Sequence, residues 1–290
     1  MSAPLVYVIV LSWNGLNDTL ACLASLEAVH YSRYQTCLVD NGSTDGTVEV
    51  VGARFPQVTV IANPRNLGFA AGNNLGLRHA LAAGAGYALL VNNDATLAPD
   101  AIRHLVDAAE ADPAAGLVGP LICYADRPQV IWSAGGEISL WRGRIAHRGL
   151  RQRDAGQFTQ TVRVDYATAC VLLVRCALLE RIGLLDEAYF IYAEDADWCL
   201  RAVRAGYHTL FVPRARAWHA VSATSRGRLA LKAWRRLTTT LRFLRRHTRW
   251  HHWLTLPLLM PVTLALDGAR FLASQVERGA RRPGRPIDPS

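Results

Sequence analysis

Up to about residue 91 the chain alternates short, apolar, β-branched runs with helix-spaced segments, and nothing else in the sequence limits its fold as much. Residues 6–11, 36–39, 58–62 and 87–91 read as strands, and residues 18–29, 47–54 and 70–83 as helices. In the first helix Leu20, Leu23 and Leu26 share a face, and Asn17 or Asp18 can cap its start. Strands alternating with helices predict an α/β fold whose sheet is mostly parallel. In such sheets ligands bind beyond the carboxyl ends of the strands. Three polar clusters fall at those ends: Asn14, the turn 40–45, and Asn92-Asn93-Asp94.

Further along, residues 120–162 lack a clear period and read as a flap or acceptor-facing insertion. Regularity returns with a strand at 171–174, a helix at 194–206 and a strand at 208–212. A chain of 290 residues, 51% hydrophobic, can bury a sizeable core. Its charge divides it. Residues 226–290 hold 14 Lys+Arg against 3 Asp+Glu, whereas residues 1–225 hold 18 against 20. A main domain over 1–225 and a basic segment over 226–290 follow. The six cysteines form no C-x-x-C pair and no zinc-like spacing, which suits reduced thiols in a cytoplasmic protein. Residues 5–11 lack the basic flank and cleavage site of a signal peptide and read as a buried strand.

Chemistry concentrates in a few places. Phe190-Ile191-Tyr192-Ala193-Glu194-Asp195-Ala196-Asp197-Trp198 puts three carboxylates within four positions at a helix start. Carboxylates there complement the helix dipole, and the same field keeps one ionised, as a general base requires. The residues alone do not choose which of the three that is. Asp94, at a strand end, suits a hard divalent cation, or else an Asx-turn or a cap for the helix after Pro99. Asp40 can accept a hydrogen bond from a nucleobase, or simply shape a tight strand-to-helix turn. His219, beside Trp218, fits either a metal ligand or a structural histidine.

Six motifs occur in a fixed order: Ser12-Trp13-Asn14-Gly15; Val39-Asp40-Asn41-Gly42-Ser43-Thr44-Asp45-Gly46; Asn66-Leu67-Gly68-Phe69-Ala70-Ala71-Gly72-Asn73-Asn74; Val91-Asn92-Asn93-Asp94; the acidic stretch at 192–198; and Trp218-His219. In this order they resemble family 2 inverting glycosyltransferases, most of all the rhamnosyltransferase-type branch, over about residues 4–225. The resemblance implies a GT-A fold, a mixed, mostly parallel sheet flanked by helices, with a nucleotide-sugar such as dTDP-rhamnose bound across its C-terminal edge. It implies that Asp40 contacts the nucleobase, with Asn14, Asn73 and Asn93 around the donor. Asp94 corresponds to the last residue of the DXD-like motif for Mg²⁺ or Mn²⁺, and His219 to a histidine completing that site. Asp195 corresponds to the catalytic base, with Glu194 and Asp197 orienting acceptor or helix. Two departures stand out. Ala169-Cys170 replaces a usual Gly-Ala, which would narrow the pocket, and the metal motif carries one carboxylate.

The basic segment contains an apolar run at 253–266, interrupted by Pro257 and Pro261 and flanked by arginine-rich stretches at 235–249 and 278–285. It falls short of the roughly 20 residues that span a bilayer. With Trp250 and Trp253 at one border it suits contact with a membrane surface, on the inner face of the cell membrane. The alternative is a helical hairpin packed on the main domain or on a second subunit in a homo-oligomer. No nucleic-acid fold signature accompanies the charge, so nucleic acid is not an expected partner. The expected function is transfer of a sugar to a glycan or glycolipid acceptor. A non-catalytic nucleotide-sugar-binding or membrane-scaffold protein would have no use for the 194–197 cluster. A nucleotidyltransferase would need a glycine-rich basic loop that 12–15 is not.

Overall fold

The computed structural model describes residues 3–221, 229–263 and 265–266. They fall into two compact units, one within 1–138 and 145–243, the other within 139–144 and 244–290. The boundary expected at 225/226 and the basic stretch at 278–285 lie outside the described residues.

The first unit opens with β1 (Val6–Ser12), α1 (Leu16–Glu27), β2 (Tyr34–Asp40), α2 (Thr47–Arg54), β3 (Thr59–Ala62), α3 (Phe69–Ala82) and β4 (Tyr87–Asn92). Then come β5 (Ala95–Leu97), α4 (Ala101–Ala111), β6 (Ala115–Tyr124), β7 (Arg127–Ser133), β8 (Gly136–Ser139) and β9 (Arg144–His147). β10 (Val162–Val164), β11 (Val171–Arg175), α5 (Cys176–Ile182), α6 (Glu194–Arg204), β12 (His208–His219) and α7 (Leu229–His247) follow. The main sheet runs β10-β12-β6-β11-β4-β1-β2-β3, and four of its seven neighbouring pairs are parallel. The valines of β1 and the valines and leucines of β2 and β4 are buried, as expected for strands covered on both faces. α3 approaches the sheet through small residues; a Cβ on Gly76 would lie 2.4 Å from Ile9 Cγ2.

Three expectations need correction. Neither Asn17 nor Asp18 caps α1. Its N-cap is Gly15, and the Leu16 amide donates to Asp45 Oδ2 (3.0 Å), 29 residues away. Residues 120–124 are not part of a flap. They are the second half of β6, buried throughout at the centre of the sheet, and β7 pairs with them. Pro120 hid this strand because it cannot donate to a ladder. Opposite it, the β6–β12 register jumps between Val212 and Arg216, a bulge that fits the missing N–H. β12 therefore does not stop at 212. It re-enters pairing and carries Trp218 and His219 along β5, where His219 faces Ala95.

In the second unit the Trp141 ring packs on His251 and His252 at 5.3 and 4.7 Å. Its carbonyl accepts from the Thr255 hydroxyl (3.1 Å). A 3-10 turn spans Trp250–Leu254. Trp250, Trp253, Leu254, Leu258, Val262 and Leu266 are all exposed. Among the described residues no helix is long and apolar enough to cross a membrane.

Candidate active site

Register alone gathers the polar clusters. Ser12 pairs with Asp40, and Leu11 pairs with Asn92, so the ends of β2, β1 and β4 lie on adjacent rungs of one edge. Strand spacing keeps such neighbours within about 5 Å. Side chains then lock the turns. Asn14, at φ 50°, accepts from the Thr44 amide (2.8 Å) and donates its own amide to the Ser43 hydroxyl (2.9 Å). Asn93 donates from Nδ2 to the Thr19 hydroxyl (3.0 Å) and the Ser12 hydroxyl (3.4 Å), bracing the β1–α1 turn.

Asp40 is 1% exposed. Its Oδ2 accepts from the amides of Gly42 (3.1 Å) and Ser43 (2.9 Å), while its Oδ1 is buried with no partner among the described residues. That is an acceptor held ready for a donor from outside. Asn73 is buried on α3 and donates to the Phe69 carbonyl (3.0 Å).

Asp94 follows β4, and its Oδ1 lies 3.0 Å from His219 Nε2, both side chains about nine-tenths buried. His219 Nδ1 has no partner among the described residues. Asp18, on the first turn of α1, is raised above the usual carboxylate range by burial and then by the charge of Asp94. Negative charge therefore accumulates here. Among the described residues no group of three or more His, Cys, Asp or Glu forms a closed metal cage. Two protein ligands beside an electron-rich pocket fit a hard cation that keeps waters and takes substrate phosphates as further ligands.

The acidic stretch opens α6, behind Tyr192 and Ala193 at φ 76° and 66°. Glu194, Asp195 and Asp197 all stand in the first turn of α6, where the helical rotation between positions makes the three carboxylates diverge. Asp197 is fully buried and its Oδ2 accepts from Arg201 Nε (2.8 Å), while the Arg201 guanidinium also donates to the carbonyls of Ile182 and Leu184. This group pins the helix. Glu194 is 5% exposed, and burial, then the charge of Asp195, pushes its pKa well above the usual range. Its Oε2 has no partner among the described residues.

Asp195 is half-buried, the most open of the three. Burial raises its pKa, opposed by hydrogen bonds from the Ala196 amide (2.8 Å), the Ala169 amide (3.3 Å) and the Thr168 hydroxyl. Donors to a carboxylate favour its ionised form. Glu194 is thus pushed strongly toward its neutral form, while the donors around Asp195 hold that carboxyl toward its ionised form. Two contacts tie Asp195 to the Asp94 turn: the Ala169 amide donates to Asp195, and one residue on, the Cys170 carbonyl accepts from the Asn92 amide (2.8 Å). Cys170 itself lies in the hydrophobic core, so its extra bulk relative to a smaller residue enters the core.

Sequence reasoning passed over several of the residues that hold this site. Asn41 donates to Asn66 Oδ1 and the Gly68 carbonyl and accepts from Asn63 and the Leu67 amide, fixing the loop before α3. Asn74 exchanges hydrogen bonds with Leu185 in both directions, anchoring the segment that leads to Glu194. Both stand inside motifs already quoted, and nothing local distinguishes them from neighbouring asparagines. Trp132 packs edge-on against His219 (4.4 Å) and against His147 (4.7 Å), from a region read as irregular.

The glycosyl transferase family 2 model matches residues 7–183. An N-acetylglucosaminyl-diphospho-decaprenol L-rhamnosyltransferase of Mycobacterium tuberculosis is 30% identical over 284 residues, covering 90% of this chain and 90% of that protein. A dTDP-rhamnosyl transferase, RfbF of Shigella flexneri, is 25% identical over 229 residues, covering 76% of this chain and 70% of that one. Among solved structures, a mannosyltransferase of Pyrobaculum calidifontis in complex with GDP-Man and Mn²⁺ superposes with a TM-score of 0.64 at 21% identity, covering 96% of this chain and 80% of that one. GalNAc-T7 with UDP, GalNAc and Mn²⁺ gives a TM-score of 0.62 at 18% identity, covering 75% of this chain and 44% of that one. The fold is thus that of the GT-A transferases.

Proposed function

The chain belongs to glycosyl transferase family 2 and is a glycosyltransferase, and we propose that it moves rhamnose from a nucleoside-diphosphate donor such as dTDP-rhamnose to an acceptor hydroxyl by one inverting displacement. The observation that carries this reading is the contrast within α6. Asp197 is spent on Arg201 and Glu194 is buried with a strongly raised pKa, whereas Asp195 is only partly buried and receives donors that favour its ionised form.

Asp195 accepts the proton of the acceptor hydroxyl as its oxygen bonds to the anomeric carbon. The bond to the diphosphate breaks on the opposite face, so the configuration inverts without a covalent enzyme intermediate. Asp40 Oδ1 receives a ring N–H of the nucleobase, and Asn14, Asn73 and Asn93 shape the donor site. Asp94 and His219 would hold Mg²⁺ or Mn²⁺, which neutralises charge on the departing nucleoside diphosphate. Both solved relatives contain Mn²⁺ with a nucleotide, in agreement with that pairing.

The acceptor is lipid-linked or a growing polysaccharide. The named acceptor of the mycobacterial relative, a sugar on diphospho-decaprenol, supports the former. The exposed tryptophans and leucines of 250–266, next to Arg245, Arg246 and Arg249, support a peripheral seat on the inner face of the cell membrane.

A transfer screen of nucleotide-sugars with Mg²⁺ or Mn²⁺, read beside thermal shift, tests the proposal. Asp195→Asn should abolish transfer and leave nucleotide binding intact, and near-normal turnover would remove the base assignment. Chelation, Asp94→Ala and His219→Ala should each remove activity. Full activity in EDTA would dispose of the metal.

A further inference from the structure

α7 is amphipathic in an unexpected sense. Thr239 and Phe243 are buried, at 7% and 1% exposure, and mark its packed face. Arg235 and Arg236 lie four and three residues before Thr239, on the same side of the helix but beyond its packed part, and both are exposed. Trp234 and Leu237 point elsewhere, exposed at 64% and 41%. A surface helix ordinarily turns its large apolar residues inward, whereas here Trp234 and Leu237 stay in the open beside two exposed arginines. α7 contains no acidic residue, and among the described residues no carboxylate pairs with Arg235 or Arg236.

The two guanidinium groups lie beside the catalytic machinery. Arg235 stands 4.7 Å above the Phe190 ring. The Phe190 carbonyl accepts from the Phe69 amide (2.7 Å), and four residues on from Phe190 the chain reaches Glu194 and Asp195. Arg236 is close enough to His147 that, after burial, its charge helps push that imidazole down to about 4. From His147 the aromatic contact runs through Trp132 to His219. Arg235 thus stands over the segment that leads into α6, and Arg236 lies near His147, which Trp132 links to His219.

We propose that Arg235 and Arg236 bind the diphosphate of an isoprenoid-diphosphate-linked sugar acceptor, with Trp234 and Leu237 lying along the isoprenoid chain. The assignment rests on the lipid-linked acceptor of the proposed function. Paired arginines suit a diphosphate because each fork donates two hydrogen bonds to phosphate oxygens. The exposed apolar pair beside them suits the chain attached to it.

Isothermal titration of the full chain with farnesyl diphosphate, in EDTA so that no cation gathers the phosphate, tests this without any sugar transfer. Binding should be at least about tenfold tighter than for farnesol, and R235Q/R236Q should erase that difference, as expected for the loss of charge-assisted bonds. R235K/R236K, which keeps both charges, should retain part of it. A nucleoside diphosphate should not displace the ligand. Equal binding by R235Q/R236Q, no preference for the diphosphate in the wild type, or displacement by dTDP would each overturn the assignment. Because the readout is binding, a failed transfer screen would leave this result standing, and the reverse holds too.

Discussion

Glu194 and Asp195 are adjacent in sequence, and their surroundings shift them unequally toward the neutral form. Glu194 is buried beside a like charge, while Asp195 receives three donors. Glu194→Gln keeps the side chain's shape in a neutral form and should hold kcat within about tenfold of wild type, in contrast to Asp195→Asn. A Glu194 pKa raised by folding means that the native state binds a proton the unfolded chain gives up. Stability is therefore full below the unfolded value of 4.5 and declines as pH rises from there toward the folded value. Glu194→Gln should flatten that decline, visible as a smaller change in urea midpoint between pH 5 and pH 8. Asp195 is also raised above 3.8, so the acid limb of kcat/KM should lie above the ordinary aspartate range. A limb at or below 3.8 would contradict the environment described for it.

At the scale of elements, the β1–α3 layer depends on closeness. Gly76→Ala would force a methyl to within 2.4 Å of Ile9 Cγ2 on a fully buried strand, and should cost about 1–3 kcal/mol by overpacking. Gly52, in the middle of α2, meets nothing within 4 Å, so Gly52→Ala should instead stabilise by about 0.5–1 kcal/mol through helix propensity. Urea denaturation of the two variants measures both signs, and equal effects would mean that the α3 contact is looser than described. The elements most visible in the sequence were those with uninterrupted periods. α2 spans Thr47–Arg54 as its spacing predicts, and β1 and β4 differ by one residue at the end. β6 was hidden by Pro120, and the far half of β12 by the bulge that answers it, because each irregularity makes sense only against its partner strand.

For the whole molecule, the second unit carries the clearest surface signal. Trp250 and Trp253 are exposed at 77% and 45%, beside exposed Leu254 and Leu258. Co-sedimentation with anionic vesicles should detect binding that weakens with salt, and Trp250→Ser with Trp253→Ser should reduce it about tenfold or more. Equal pelleting of that variant would move the membrane contact elsewhere. The order of motifs, the alternation of strands and helices, and the placing of Asp40, Asp94 and Asp195 at strand and helix ends could all be read in the sequence, because they depend on neighbours a few residues apart. Tertiary structure alone decided which carboxylate is held toward its ionised form and that Asp45 caps a helix 29 residues away. It alone set Asn41 and Asn74 apart from the asparagines beside them, and turned Arg235 toward Phe190. Charge state, nonlocal hydrogen bonds and helix facing are set by what folding brings close, and the chain's linear order does not contain those distances.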